Sequence, residues 1–69
     1  MKIKVDPKSD ALYISLSEDR VENSQEVSPG VILDFNKAGK VIGIEVLGIK
    51  GRVPLEDLLH LNVEMPTVV

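Results

Sequence analysis

Strict alternation of polar and apolar residues opens the chain. Residues 2–6, Lys-Ile-Lys-Val-Asp, change character at every position, which is typical of a β-strand with one face buried. Residues 7–10, Pro-Lys-Ser-Asp, interrupt this pattern with turn-forming side chains. Alternation then resumes over residues 11–16, where the apolar residues at even positions share one face. A strand, a short turn and a second strand predict a β-hairpin.

Two longer apolar segments follow, residues 31–35 and 41–47, and both are rich in β-branched residues. They flank a connection, residues 36–40, that contains a glycine near its end, so they predict a second hairpin. A proline–glycine pair at positions 29–30 marks a turn just before it. Residues 17–25 are polar apart from one valine, which makes them either a loop or an edge segment covered on one side.

The two faces of the predicted sheet differ in character. The second hairpin carries Asp34 and Glu45 on its less apolar face. We expect this face to meet water at the two acids and to be covered at Ile32, Val41 and Leu47. The period-two register puts the other large apolar residues together, and we expect them to form the core: Ile3, Val5, Leu12, Ile14, Leu16, Leu33, Phe35, Ile42, Ile44 and Val46.

The two acids also raise the question of a carboxylate pair. Opposite side chains on antiparallel strands have Cβ atoms about 4.5–5.5 Å apart, so facing acids would form a dyad or a Mg²⁺ or Ca²⁺ site. A regular hairpin centred on Ala38 puts Asp34 opposite Ile42 and Glu45 opposite residue 31. Direct opposition of the two acids is therefore not expected.

The pattern changes after Gly48. Residues 54–60 place leucines at positions 55, 58 and 59, the spacing of a short helix, behind a proline and with acids in the first turn. Residues 61–65 alternate again and predict a possible fifth strand, ended or bent at Pro66. We therefore predict one domain over residues 1–69 in the α+β class and mainly β: a four- to five-stranded antiparallel meander sheet of two hairpins with one short C-terminal helix.

Composition narrows the classes of function. The net charge is −3 and the eight basic residues are scattered, which disfavours nucleic-acid binding because phosphate contacts need clustered Lys and Arg. No apolar run approaches the ~20 residues of a membrane span, and the N-terminus lacks a signal-peptide core, so we expect a cytoplasmic protein without a membrane partner.

The size of the chain predicts self-association. A domain of 69 residues buries only about 60% of its unfolded surface, and this one has no cysteine for disulfides. We expect a homodimer in which Val63, Met65, Val68 and Val69 pair with their counterparts in a second chain. The alternative is that this tail folds back as a fifth strand on its own sheet.

Four residues are candidates for binding: Tyr13, Asp34, Glu45 and His60. Tyr13 and Asp34 are expected on one face of the sheet with Lys4, although a cross-strand pair is the commoner role of such residues. His60 ends the predicted helix, where it would act as a base or ligand or simply be solvated. No serine or cysteine stands beside it, so nucleophilic catalysis has no support. We predict no catalytic residue, and the chain has no cysteine and only one histidine, so we also expect no metal site or cofactor.

Three segments carry a family resemblance: Asp10-Ala-Leu-Tyr-Ile, Pro29-Gly-Val-Ile-Leu-Asp and Gly43-Ile-Glu. In this order they resemble the small prokaryotic domain-of-unknown-function family 2283, over roughly residues 1–50. The resemblance implies a small, mainly antiparallel β domain. Some relatives are encoded beside toxin-like genes, which implies an antitoxin-like partner protein. The family supplies no established catalytic residues.

These observations favour a non-enzymatic interaction module that forms a homodimer and binds another protein. The alternative is a small hydrolase or ligand-binding protein that uses Tyr13, Asp34, Glu45 and His60 on the non-core side of the sheet. Convergence of these side chains in a concavity would favour the alternative, and a flat or self-paired surface would favour the module.

Overall fold

The computed structural model describes residues 1–67 and contains five strands and two short 3₁₀ turns. The mainly β prediction is confirmed. In chain order the elements are β1 (Lys2–Asp6), β2 (Ala11–Ser15), β3 (Asn23–Ser28), β4 (Val31–Phe35), β5 (Val41–Leu47), η1 (Ile49–Gly51) and η2 (Leu55–His60).

All five strands form one antiparallel sheet in the order β1-β2-β5-β4-β3. Both predicted hairpins are present, as β1–β2 and β4–β5, and they join through pairing of β2 with β5. The fifth strand is β3, at the edge, so the polar segment left open by the sequence becomes an exposed edge strand.

The C-terminal segment differs from its prediction. A helical element begins at Leu55 as expected, but it is a six-residue 3₁₀ helix that Pro54 precedes without a side-chain cap. Such a short helix gains little from its own hydrogen bonds. The predicted strand over residues 61–65 is wrong, because residues 61–67 form no strand, and Leu61, Val63 and Met65 are exposed. Val68 and Val69, part of the predicted dimer contact, lie outside the described residues.

The strand register sorts the side chains onto two faces, since directly paired residues point to the same side. What we call the apolar face consists of Ile3, Val5, Leu12, Ile14, Val31, Leu33, Phe35, Ile44 and Val46. The opposite side, the charged face, carries every charged residue of the five described strands: Lys2, Lys4, Asp6, Glu26, Asp34 and Glu45. The predicted division of the sheet into two faces is therefore confirmed.

Burial does not follow that division as expected. Among the apolar side chains of residues 1–67, only Ile42 and Ile49 are buried, at 4% and 3% exposure. Ile3 and Leu16, two predicted core residues, are 38% and 44% exposed. The reason is architectural: the molecule is a slab of 39 × 35 × 19 Å, and a single sheet cannot enclose its own face. Within residues 1–67, no helix is long and apolar enough to cross a membrane.

Candidate functional site

A β-bulge determines where the two acids lie. The pairing of β4 with β5 shifts between Asp34 and Phe35, so Asp34 lies opposite Gly43 and Glu45 lies opposite Ile32. The regular register predicted for this hairpin, with Asp34 opposite Ile42, is therefore wrong by one residue. The extra residue accommodated by the bulge brings Asp34 and Glu45 to the same face as diagonal neighbours. As predicted, they do not oppose each other directly.

Asp34 is the centre of a hydrogen-bonded chain across four strands. The Tyr13 hydroxyl on β2 donates to Asp34 Oδ2 at 2.8 Å, and the Ser24 hydroxyl on β3 donates to Oδ1 at 2.5 Å. Each carboxylate oxygen thus has a donor, and the Tyr13 side chain spans β5 to reach β4. We call Tyr13, Asp34 and Ser24 the cross-strand tie. It links the centre of the sheet to its β3 edge.

Gly43 makes the cross-strand tie sterically possible. A Cβ atom at this position would lie 2.1 Å from Tyr13 Oη and 2.8 Å from Cζ, far inside van der Waals contact. The tyrosine therefore lies directly on the glycine backbone and fills the space that a side chain would take. An aromatic ring over a strand glycine compensates for the packing that glycine lacks.

The tie also fixes the protonation preference of its tyrosine. Donation to the Asp34 carboxylate raises the pKa of Tyr13, because the hydrogen bond requires the proton, and burial and the negative charges of Asp34 and Glu45 act in the same direction. At neutral pH the phenol is a hydrogen-bond donor. It is not poised as a base or a nucleophile.

Glu45 lies beside the tie without joining it. Its strand partners are Tyr13 on β2 and Ile32 on β4, and with Lys4 and Tyr13 it lines a shallow depression of about 310 Å³. The prediction that Lys4, Tyr13 and Asp34 share one face is confirmed by the register. Diagonal neighbours such as Asp34 and Glu45 lie roughly 7–8 Å apart, which is too far for a shared proton.

The exposure of these residues differs from the prediction chiefly at the two ends of β5. Asp34 and Glu45 are half-buried, whereas Val41 and Leu47, expected to be covered, are 36% and 37% exposed. Ile32 is half-buried. The acids are shielded because Tyr13 and its neighbours pack over the middle of the sheet, while Val41 and Leu47 begin and end β5 at its open ends.

The remaining candidate, His60, lies elsewhere. It is exposed at the last position of η2 and lines neither the depression beside Tyr13 nor the apolar one between η2 and the β1 end. In the described part of the chain no hydrogen bond joins it to Tyr13, Asp34 or Glu45. The structure thus brings three of the four candidates to one face and leaves His60 apart.

The sequence-based interpretation missed the contribution of Ser24. It belongs to the polar segment between the hairpins, and its role depends on β3 pairing with β4 so that Ser24 lies opposite Asp34. No alternation of polar and apolar residues marks this segment, since Ser24, Gln25 and Glu26 are all polar, so the sequence offered no local signal for the role of Ser24. A second missed residue is Asp10, which adopts φ 53° and accepts the Lys50 backbone N–H at 2.8 Å, anchoring η1 to the first turn.

Asp6 organises that same turn. Its carboxylate accepts the Ser9 hydroxyl at 2.9 Å and the backbone N–H groups of Lys8 and Ser9 at 3.1 and 3.3 Å. The hydrogen bonds from Ser9 lower the pKa of Asp6, because they favour the ionised carboxylate. Both turn acids therefore have structural partners. Within residues 1–67, no three His, Cys, Asp or Glu side chains come together in a way that could hold a metal ion.

The comparisons with known proteins identify a family and nothing more specific. No curated protein and no solved structure shows a significant match. A family model described as "Protein of unknown function (DUF2283)" matches residues 2–50, which is more than half of the 69-residue chain. The match covers all five strands and therefore the whole cross-strand tie. The chain belongs to the DUF2283 family.

Proposed function

We propose that this chain is a non-enzymatic protein-interaction module and that it binds through its apolar face. One observation carries the proposal: nine apolar side chains on neighbouring strands form a continuous surface without a charged residue, and most of them are only half-buried. Extended apolar patches on a protein surface mark sites of interaction.

The sheet edges are less suited to binding than the face. At one edge, β1 presents Lys2 and Lys4, and lysines on edge strands disfavour pairing with another strand. At the other edge, β3 is interrupted by a bulge between Glu26 and Ser28, which disturbs the ladder that an added strand would need. Binding by the flat apolar face is therefore favoured over strand addition.

A small hydrolase or a ligand-binding protein has less support. Both oxygens of Asp34 already accept hydroxyl hydrogen bonds, and its donor Tyr13 holds its proton firmly. Glu45 has no second acid opposite it, and His60 is not beside it. This side of the sheet lacks the paired acid and base or the activated nucleophile that hydrolysis requires.

An antitoxin-like role is one specific form of the proposal. Its support is the family resemblance, under which the chain would neutralise a toxin by binding it. A partner protein that covers the apolar face would bury side chains that the monomer leaves open, which is the usual source of affinity in protein complexes.

A matched pair of photo-crosslinkers tests this proposal in the native cell. Leu33 and Ile32 are adjacent and both half-buried, but they lie on opposite faces. We expect a photo-crosslinking amino acid at position 33 to give protein adducts and the same group at position 32 to give few. Adducts at position 32 alone, or none at either position, would contradict binding by the apolar face.

A further inference from the structure

We propose that the occupant of the apolar face is a second copy of this chain, packed face to face about a two-fold axis. This inference rests on the proposed function, because it names the partner of that same surface. The two sheets would form a sandwich in which the apolar faces meet and the charged faces point outward.

The first argument is the shape of the isolated chain. It exposes 5588 Å², whereas a compact monomer of 7.6 kDa exposes about 4,300 Å². Its radius of gyration is 13.6 Å, and a compact domain of 69 residues has about 11 Å. Both quantities exceed those of a compact domain, as expected of a single open sheet followed by the exposed segment over residues 61–67.

The second argument is the amount of surface. The excess over a compact monomer is about 1,300 Å², and a standard interface buries about 800 Å² on each partner. The exposed segment over residues 61–67 accounts for part of this excess. The chain thus exposes more surface than a compact domain, and a face-to-face dimer would cover part of it.

The third argument concerns the identity of the partner. With only Ile42 and Ile49 buried among the apolar side chains of residues 1–67, the chain has almost no core of its own, and a second copy would supply the missing layer. The apolar face has no charge that would demand a complementary charge on a different protein. An uncharged, continuous face is also self-complementary, as a two-fold interface requires.

Charge segregation supports this packing. The chain carries a net charge of −3, so two copies repel each other at long range. In the face-to-face arrangement the strand charges of each sheet lie on its outer side, and two stacked sheets are about 10 Å apart. The interface itself then buries no charge.

The centre of the interface follows from the strand order. Ile44 lies on β5, the middle strand, and its direct partners on the two neighbouring strands are Ile14 and Leu33. These three residues form a row across the middle of the apolar face. A charge placed there would be buried by the second copy without a partner.

This surface differs from the one expected from the sequence, which was the C-terminal segment. The two surfaces are separable by mutation in the full-length chain. Val63 and Met65 are 68% and 76% exposed, so their replacement by aspartate should leave the fold of the isolated chain unchanged. Ile44 lies in the sheet, and its neighbour Glu45 lies on the opposite face.

The test is the mass of the full-length chain by sedimentation equilibrium at ~100 µM and on dilution. We expect twice the monomer mass. The double substitution Val63→Asp, Met65→Asp should leave the dimer intact, as should Glu45→Gln. Ile44→Asp should weaken dimerisation by at least about 100-fold, whether or not the released monomer stays folded.

Two results would overturn the inference. One is a monomeric wild-type chain at the highest concentration, and the other is dissociation caused by the tail substitutions while Ile44→Asp has no effect. The outcome is distinct from failure of the proposed function. Suppose that position 33 crosslinks only a different protein while the isolated chain is monomeric. The proposal of an interaction module then stands, and the proposal that a second copy covers the apolar face fails.

Discussion

The two faces of this sheet differ in how far the chain itself satisfies their side chains. On the charged face, Tyr13, Asp34 and Ser24 connect four strands and satisfy one another's hydrogen bonds. On the apolar face, nine side chains lie next to each other and most stay only half-buried, with η2 beside Val5 at the β1 end. The comparison shows that polar side chains brought together on one face of a sheet need not form an active site. Here they connect the strands of the sheet, and we expect binding at the apolar face instead.

The largest effect should come from the apolar face. We expect Leu33→Ala to reduce the free energy of unfolding by about 2–5 kcal/mol, as for a buried leucine, because in the proposed dimer a second copy covers it. The matched control is Leu47→Ala on the charged face, where 37% exposure limits the loss to about 1 kcal/mol. Urea denaturation followed by circular dichroism at one fixed protein concentration measures both. A loss below about 1 kcal/mol for Leu33→Ala would mean that the face is uncovered.

The next effect concerns the packing under Tyr13. Gly43→Ala forces the new Cβ against Tyr13 Oη, 2.1 Å away, so the ring must move and the tie must break. We expect a loss of about 1–3 kcal/mol. Gly51→Ala is the control, because no atom lies within 4 Å of its Cβ position. In the double variant with Tyr13→Ala the two losses should not add, and full additivity would show that the ring does not lie on the glycine.

A smaller difference should separate the two acids. Asp34→Asn removes the charge that accepts two hydroxyl hydrogen bonds, and we expect a loss of about 1 kcal/mol because the site is partly open to water. Glu45→Gln preserves the shape of the side chain, and within residues 1–67 the Glu45 carboxylate accepts no side-chain hydrogen bond that the change could break. Its effect on the free energy of unfolding should therefore stay within about 0.5 kcal/mol. A hydrolase activity that either substitution abolished would contradict a structural role for these acids.

The smallest effect is the titration of Tyr13. It is the chain's single tyrosine, and there is no tryptophan, so the ultraviolet absorbance of tyrosinate reports this residue alone. Its pKa should lie above the ordinary value of about 10, because the hydrogen bond to Asp34 favours the phenol, and Asp34→Asn should lower it. Because the pKa is raised by folding, the stability it contributes is complete below about pH 10 and is lost as pH rises through the folded pKa. A normal pKa in the wild-type chain would contradict the tie.

Much of the fold was predictable because alternation determines the two faces of a strand. Both hairpins follow from period two and the turn residues between the strands, whereas the pairing of Leu33 with Ile44 also depends on the bulge. Burial was not predictable in the same way. The pattern shows which side chains prefer to leave water, but whether a second layer covers them depends on residues or chains beyond that strand.

The candidate site was predictable only in part, for two physical reasons. The position of Asp34 depends on a bulge, and nothing local in the sequence distinguishes a shift of one residue from a regular register. The contribution of Ser24 depends on the pairing of the polar strand β3 with the apolar strand β4. For the tail, alternation at residues 61–65 predicted a strand that lacks a neighbour in the chain, so the local pattern had no partner to pair with.

The central claim is that the apolar face is covered in solution and the charged face is not. The chain has no cysteine, so Leu33→Cys and Ile32→Cys each introduce a single thiol, at neighbouring half-buried positions on opposite faces. The most direct measurement is the rate of thiol labelling of the two variants at high and low protein concentration. We predict that position 33 reacts at least about tenfold more slowly than position 32 at high concentration and accelerates on dilution. Equal rates at both positions and at every concentration would contradict the account.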